Sequence, residues 1–179
     1  MITSNRFENA AAETEPYRAS LLALVGDRDP LEILTATPTA LVAAVAGLTP
    51  DQEATPEAPG KWSVRQVTQH LVDAELVGAF RYRMVLAHDR PTIPGYDQDR
   101  WAERLGYADA DLSLALRDFE VVRASNLRLL RRATDEDRRR VLLHTERGEE
   151  SLDLMTHLFA GHDLLHLRQI ARIRAAIGV

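Results

Sequence analysis

The decapeptide GHDLLHLRQI, residues 161–170, sets His162 and His166 four positions apart in a stretch that otherwise reads as a buried helix face. Residues at that separation on an α-helix differ by about 40° around its axis, so both imidazoles point the same way. The direction is inward, because the pair falls in the apolar stripe Leu152, Met155, Phe159, His162, His166, Ile170, Ile173 and Ile177. A buried imidazole is costly unless its nitrogens find partners. A divalent cation meets that need, with two histidines one turn apart as ligands and a third drawn from a facing helix. His70 is the natural third, since it lies within another core stripe, Val64, Val67, Leu71, Ala74, Gly78 and Val85. Three histidines leave coordination positions open, as in a catalytic rather than a closed structural site. Imidazole suits zinc, nickel, iron and copper alike, and the spacing does not choose among them. The spacing also fits a blander arrangement, buried histidines satisfied by carbonyls.

Other chemistry-bearing residues are less suggestive. His157 is five residues before His162, about 140° around the same helix, and faces elsewhere. His88 and His144 fall at a helix end and in a loop, where they are expected to be solvated. Asp73, one turn beyond His70, is the best-placed general base if the metal activates water for hydrolysis; a salt bridge at the core edge is its competing role. Arg65 and Arg81 are candidates to hold an anionic cosubstrate, or simply solvated surface. The serines have no nucleophile motif around them and there is no glycine-rich phosphate loop. Cysteine is absent, which excludes disulfides, a thiolate nucleophile and a Cys-ligated metal; any thiol chemistry would need a thiol from outside the chain.

The elements that must position these residues read as helices throughout. PYRASLLALVGDRDP is a short helix closed by Gly26, and PLEILTATPTALVAAVAGL follows, divided at Pro38 with a restart from Thr37 or Pro38. TPDQEATPEAPG reads as a loop without periodicity. In GKWSVRQV, Ser63 and Gln66 form a capping box, and Trp62 and Val67 stand where a hydrophobic staple would, opening a helix from Val64 to about Ala87. HDRPTIPGYDQDRWAERLGYAD is mostly loop, with a short helical turn around Gln98–Leu105, and is long enough to cross the whole length of a helix. Its PGYDQD segment can help shape a pocket, with Trp101 anchoring the far end in the core. Asp109 or Asp111 caps a third long helix through about Ala133, with Leu112, Leu116, Phe119 and Leu130 on one face. Ser151 caps a fourth. No strand signal appears, so the expected class is all-α, a four-helix bundle with an additional short N-terminal helix.

The whole chain, 1–179, is expected to be one domain, since 179 residues can bury a sizeable core and 45% hydrophobic with 27% charged residues is ordinary for a globular protein. No stretch has the apolar length of a membrane span, and the opening MITSNRFENAAAETEP lacks a signal peptide's apolar core, so the expected location is cytoplasmic. A net charge of −5 argues against nucleic-acid partners. Lys61 is the single lysine, and the densest basic stretch, LRRATDEDRRRV, holds three acids and reads as a solvated turn.

In their order along the chain, GKWSVRQVTQHLVDAE, PGYDQDRW and HLFAGHDLLHLRQI resemble the DinB/YfiT-like superfamily of small four-helix-bundle metalloenzymes, over about Pro16 to Ile177. The resemblance implies an up-down-down-up topology, in which the long loop after Ala87 is the crossover. It places metal ligands on His70, His162 and His166. It also implies a homodimer, and activities of two kinds: S-transfer with a low-molecular-weight thiol such as bacillithiol, or metal-dependent hydrolysis. Many members carry paired histidines where this chain has Leu165 before His166, so a role for that extra imidazole is lost here while the ligand position is kept. The expected function is therefore a metal-dependent transferase joining a thiol to small electrophiles, with zinc, nickel or iron as the metal. Hydrolysis by metal-activated water is the alternative, and a non-catalytic, stress-related binding bundle is a third reading.

Overall fold

The computed structural model describes residues 10–179, with side chains described from Glu15 onward; the first nine residues, part of the segment read above as lacking a signal peptide, lie outside the described residues. Helix α1 (Ala10–Val25) ends at Gly26, whose φ of 60° lies in the left-handed region, and is as long as α2 (Pro30–Val45) rather than a short appendage. The remaining helices are α3 (Pro50–Ala54), α4 (Val64–Ala87), α5 (Gln98–Arg104), α6 (Leu112–Leu130), α7 (Asp135–Arg139) and α8 (Leu152–Ala176). Their starts follow from capping. Ser63 and Gln66 close the expected box before α4, Asp97 caps α5, Asp111 caps α6 and Ser151 caps α8. A second box, Thr49 with Gln52, opens α3 within the segment read as a plain loop.

Proline 38 does not divide α2, which runs unbroken through it. A proline inside a helix normally orphans the carbonyl four residues back, here that of Leu34. Arg123 of α6 reaches across the core and donates Nη1–H to that carbonyl at 2.9 Å. The missing donor is thus supplied by another helix.

The directions of the four long helices can be read from their contacts. Along α4 and α6 the paired positions rise together, Glu75 with Arg123 and then Arg83 with Ser125 and Asn126, so these neighbours are parallel. Helices α4 and α8 run opposite ways, with His70 at His162 and His166 and Gly78 at Phe159. Helix α2 is parallel to α8, with Thr37 at Asp163 and then Ala44 at Arg174, and antiparallel to α6, since Ile33 and Leu34 share a cluster with Leu127 and Leu130 while Leu41 and Val45 share one with Leu112, Ala115 and Phe119. The bundle of α2, α4, α6 and α8 is therefore up-down-down-up, and the segment from His88 to Asp111 makes the crossover. Helix α1 packs along α8 so closely that a Cβ on Gly161 would collide with the Leu21 carbonyl.

The all-α expectation needs one correction. A small sheet lies beside the bundle: β1 (Thr92–Ile93) pairs in parallel with β2 (Val141–His144), which pairs antiparallel with β3 (Gly148–Ser151). The hairpin turns at Gly148, whose φ of 76° favours glycine. Leu142 and His144 alternate into the interior while Val141 and Leu143 are only half-buried. Among the described residues no helix is long and apolar enough to cross a membrane.

Two apolar clusters fill the bundle. One joins Leu34, Tyr82, Val85, Leu127, Leu152 and Met155, the other Leu41, Val67, Leu71, Phe119, Ile170 and Ile173. A buried polar network stands in the same core. Arg123, 1% exposed, pairs with Glu75 at 2.8 Å and with Asp163 at 2.6 Å, and Asn126 donates to the second oxygen of Glu75. Burial opposes the charge on Arg123, but Asp163 and Glu75 together hold its pKa above the ordinary guanidinium value.

Candidate metal centre

The antiparallel register of α4 and α8 brings His70 level with His162 and His166. Nε2 of His162 lies 3.1 Å from Nε2 of His70 and 3.1 Å from Nε2 of His166. All three ligand atoms fall within 4.8 Å of one another. His70 and His166 are buried, and His162 is half-buried.

These rings cannot satisfy one another. A neutral imidazole has one N–H, and His166 uses its Nδ1–H on Oε1 of Gln169 at 2.8 Å, so its Nε2 carries a lone pair. Nε2 of His162 faces two such nitrogens and can donate to one at most. Nδ1 of His70 and Nδ1 of His162 have no hydrogen-bond partner among the described residues. Protonation is no remedy. Burial, together with repulsion from His166, holds His70 well below the usual imidazole value; His162 is lowered in the same way, first by burial. His166 is pushed down to about 4, chiefly by burial and against the Gln169 hydrogen bond. Three converging lone pairs are what a divalent cation binds, so the residues fit a metal at Nε2 of each. Gln169 plays the outer role, fixing the His166 ring and tautomer. The sequence offered it at three residues past His166, a spacing that had gone unread.

Trp62 packs on His70 with the rings tilted and their centroids 5.0 Å apart, and stands edge-on to Tyr107 at 6.4 Å. His162 opens onto a cavity of about 700 Å³ walled by Val77, Arg81, Tyr96, Arg147 and Phe159. PGYDQD contributes to that wall, and Trp101 packs on Tyr96 at 4.5 Å. Asp73 does not line the cavity; its Oδ2 accepts the Tyr107 hydroxyl at 2.5 Å and its Oδ1 faces Gln69.

His144 is not solvated as expected. It is 2% exposed on β2, with Nε2 at 3.1 Å from Nη2 of Arg81. The hairpin that buries it was read as loop because the run VLLH is too short for a strand period to show. His88 is exposed, and the half-exposed His157 donates Nδ1–H to the Asp153 carbonyl four residues back, away from the cluster, as expected. Arg65 is tied to Glu53, Pro50 and Ala108 outside the cavity.

The depressed histidines carry a stability consequence. Unfolded, each protonates near pH 6.5; folded, His166 and His144 stay neutral to about 4 and His70 and His162 are also lowered. The unfolded state then binds more protons, so this contribution is complete above about pH 6.5 and is lost as the pH falls toward 4. Thermal melts of chelator-treated protein should show a midpoint flat above pH 7 and dropping steadily below 6.5. A midpoint unchanged down to pH 4.5 would contradict it.

The chain is similar to known proteins in both sequence and fold. The family model described as the DinB superfamily matches residues 33–170. The chain is 30% identical over 149 residues to "Putative metal-dependent hydrolase YfiT" of Bacillus subtilis, covering 83% of this chain and 84% of that one. It is 33% identical over 138 residues to a "Putative metal-dependent hydrolase" of Bacillus cereus, covering 76% and 79%. The solved structure of Bacillus subtilis YfiT, described as a probable metal-dependent hydrolase with an unusual four-helix bundle topology, superposes with a TM-score of 0.79 at 29% identity, covering 83% of this chain and 86% of that one.

Proposed function

The chain belongs to the DinB superfamily, and on that footing we propose that it is a cytoplasmic metal-dependent hydrolase of small molecules, with His70, His162 and His166 holding one divalent cation. The observation that carries this reading is the convergence of three Nε2 atoms that cannot all be satisfied by one another. A cation bound there supplies Lewis acidity at neutral pH, to water or to a substrate carbonyl. His162, the ligand at the cavity wall, sets the side from which a substrate approaches. Val77, Leu158 and Phe159 form the apolar part of that wall and Arg81 and Arg147 a charged part. Asp73, the base expected from the sequence, is not placed to meet a molecule in that cavity: its Oδ2 holds the Tyr107 hydroxyl and its Oδ1 faces Gln69.

The test is turnover of ester and amide substrates without added thiol. It should be abolished by a chelator and restored by zinc, nickel or iron(II). No turnover across the panel with metal bound would overturn the hydrolase reading. Thiol transfer to small electrophiles is the second reading, favoured by a cysteine-free chain with arginines in the cavity wall. Electrophile consumption only when a thiol is supplied would select it.

Gln169→Ala should weaken metal binding about 10–100-fold in a competition titration, the usual effect of removing an outer partner of a ligating histidine. An unchanged affinity would mean that His166 needs no orienting contact. The homodimer implied by the resemblance has an available surface in Leu76 and Phe80, one turn apart and about half exposed on α4; sedimentation of wild type beside Phe80→Glu tests it.

A further inference from the structure

Arg81 is 5% exposed, on the wall of the cavity that His162 also lines. A buried guanidinium ordinarily sits against a carboxylate. The same bundle provides the comparison: Arg123, equally buried, has two. Arg81 forms an ion pair with none among the described residues, and its Nε has no hydrogen-bond partner. Its one side-chain hydrogen bond among the described residues is Nη2 to Nε2 of His144 at 3.1 Å. Even that contact is contested, because Nδ1 of His144 lies 3.2 Å from the Glu146 N–H. A neutral imidazole accepts from one donor only, so either Glu146 or Arg81 goes without.

The nearest acid, Glu150, is already used. Arg147 takes both its oxygens, through Nε at 2.6 Å and Nη2 at 2.9 Å. Among the described residues, the group of Arg81, Arg147, Glu150 and neutral His144 therefore carries one positive charge more than it has negative, with the single buried carboxylate of Glu150 bound by Arg147 and only near Arg81. Burial and the neighbouring Arg147 lower the Arg81 pKa to about 10, which still leaves it cationic at pH 7. Tyr96 lines the same cavity, and burial pushes its phenol up to about 12, so at neutral pH it remains a hydrogen-bond donor. The acids of the lining do not answer the charge. Asp97, Glu103 and Glu146 are solvent-exposed, and Asp99 has a contact of its own.

We propose that Arg81, with Tyr96 beside it, forms an anion subsite in the cavity next to His162, and that the molecules this protein acts on carry a carboxylate. The inference rests on the small-molecule reading of the cavity but needs no metal. One uncompensated charge matches a monoanion; a phosphate monoester, doubly charged at neutral pH, would reverse the imbalance rather than cancel it. The carboxylate end would sit against Arg81 while the rest of the molecule runs past Val77 and Phe159 toward His162.

The test is equilibrium binding to the full chain after chelator treatment, so that ligation of a metal cannot be mistaken for the subsite. The probes are acetate, propionate, 3-phenylpropionate, the neutral isostere 3-phenylpropanamide, and phenyl phosphate. At least one carboxylate should bind saturably at millimolar concentration or below, and 3-phenylpropionate should bind roughly tenfold or more tighter than its amide. Arg81→Met should erase that preference and Arg81→Lys should keep part of it. The melting temperature of Arg81→Met should equal or exceed that of wild type, since an unpaired buried charge is removed; a structural role would lower it instead. Equal binding of acid and amide, a preference that survives Arg81→Met, stronger binding of phenyl phosphate, or no saturable carboxylate binding would each overturn the proposal. If the protein binds no metal even after reconstitution, the hydrolase reading fails and this result stands or falls separately.

Discussion

His162→Ala is expected to abolish stoichiometric metal binding while leaving the helical bundle folded. Elemental analysis of the untagged wild type should give about one zinc, nickel or iron per chain, and the variant should give essentially none. The loss should exceed the roughly 10–100-fold that follows removal of an outer partner, because His162 is the ligand that lies within 3.1 Å of both others. The fold should survive because the two apolar clusters, drawn from all four long helices, do not include His162. The circular dichroism of the variant should therefore match that of wild type. Metal retained in the variant would place the site elsewhere, and unfolding would make the metal structural. A wild type without metal even after reconstitution would mean three packed histidines, and the enzyme reading would go with it.

The largest expected loss of stability comes from Arg123→Met. Removing one partner from a buried ion pair typically costs about 3–5 kcal/mol, since the remaining charge stays behind uncompensated. Here two carboxylates would be stranded at once, Glu75 and Asp163, both under 3% exposed. The Leu34 carbonyl, left without a backbone donor by Pro38, would lose its cross-helix donor as well. Such a loss is a large part of the roughly 5–15 kcal/mol that holds a domain together. Urea unfolding of wild type and variant measures it. Glu75→Gln should cost less, because Arg123 keeps Asp163 and the amide still fills the space. A midpoint shift for Arg123→Met no larger than that of a surface substitution would show that the network is solvated in solution.

The sequence showed the helices, their caps and the three histidines because each rests on a local pattern. Capping boxes are read within four residues, and a ligand pair on one helix within five. His70 could be joined to His162 and His166 only by assuming that their helices are antiparallel neighbours, which the fold then showed. What depended on distant partners was illegible. Pro38 looked like a break because its rescue comes from Arg123. His144 looked solvated because the strand that buries it is four residues long and Arg81 lies on another element. Arg81 could be named as a candidate from the sequence, but its lack of an anion is a property of the assembled interior.

The tie from Arg123 to the Leu34 carbonyl spans eighty-nine positions of the chain. Helix α2 therefore cannot complete its hydrogen-bond ladder early in folding. Its middle turn is one bond short until α6 has docked, and that docking must first meet the entropy of closing a long loop. Helices α4, α6 and α8 contain no proline and are free of this dependence. The turn of α2 around Pro38 is therefore expected to gain its full protection only once α6 is in place, so hydrogen exchange at the amides of that turn should rise in Arg123→Met more than elsewhere along α2.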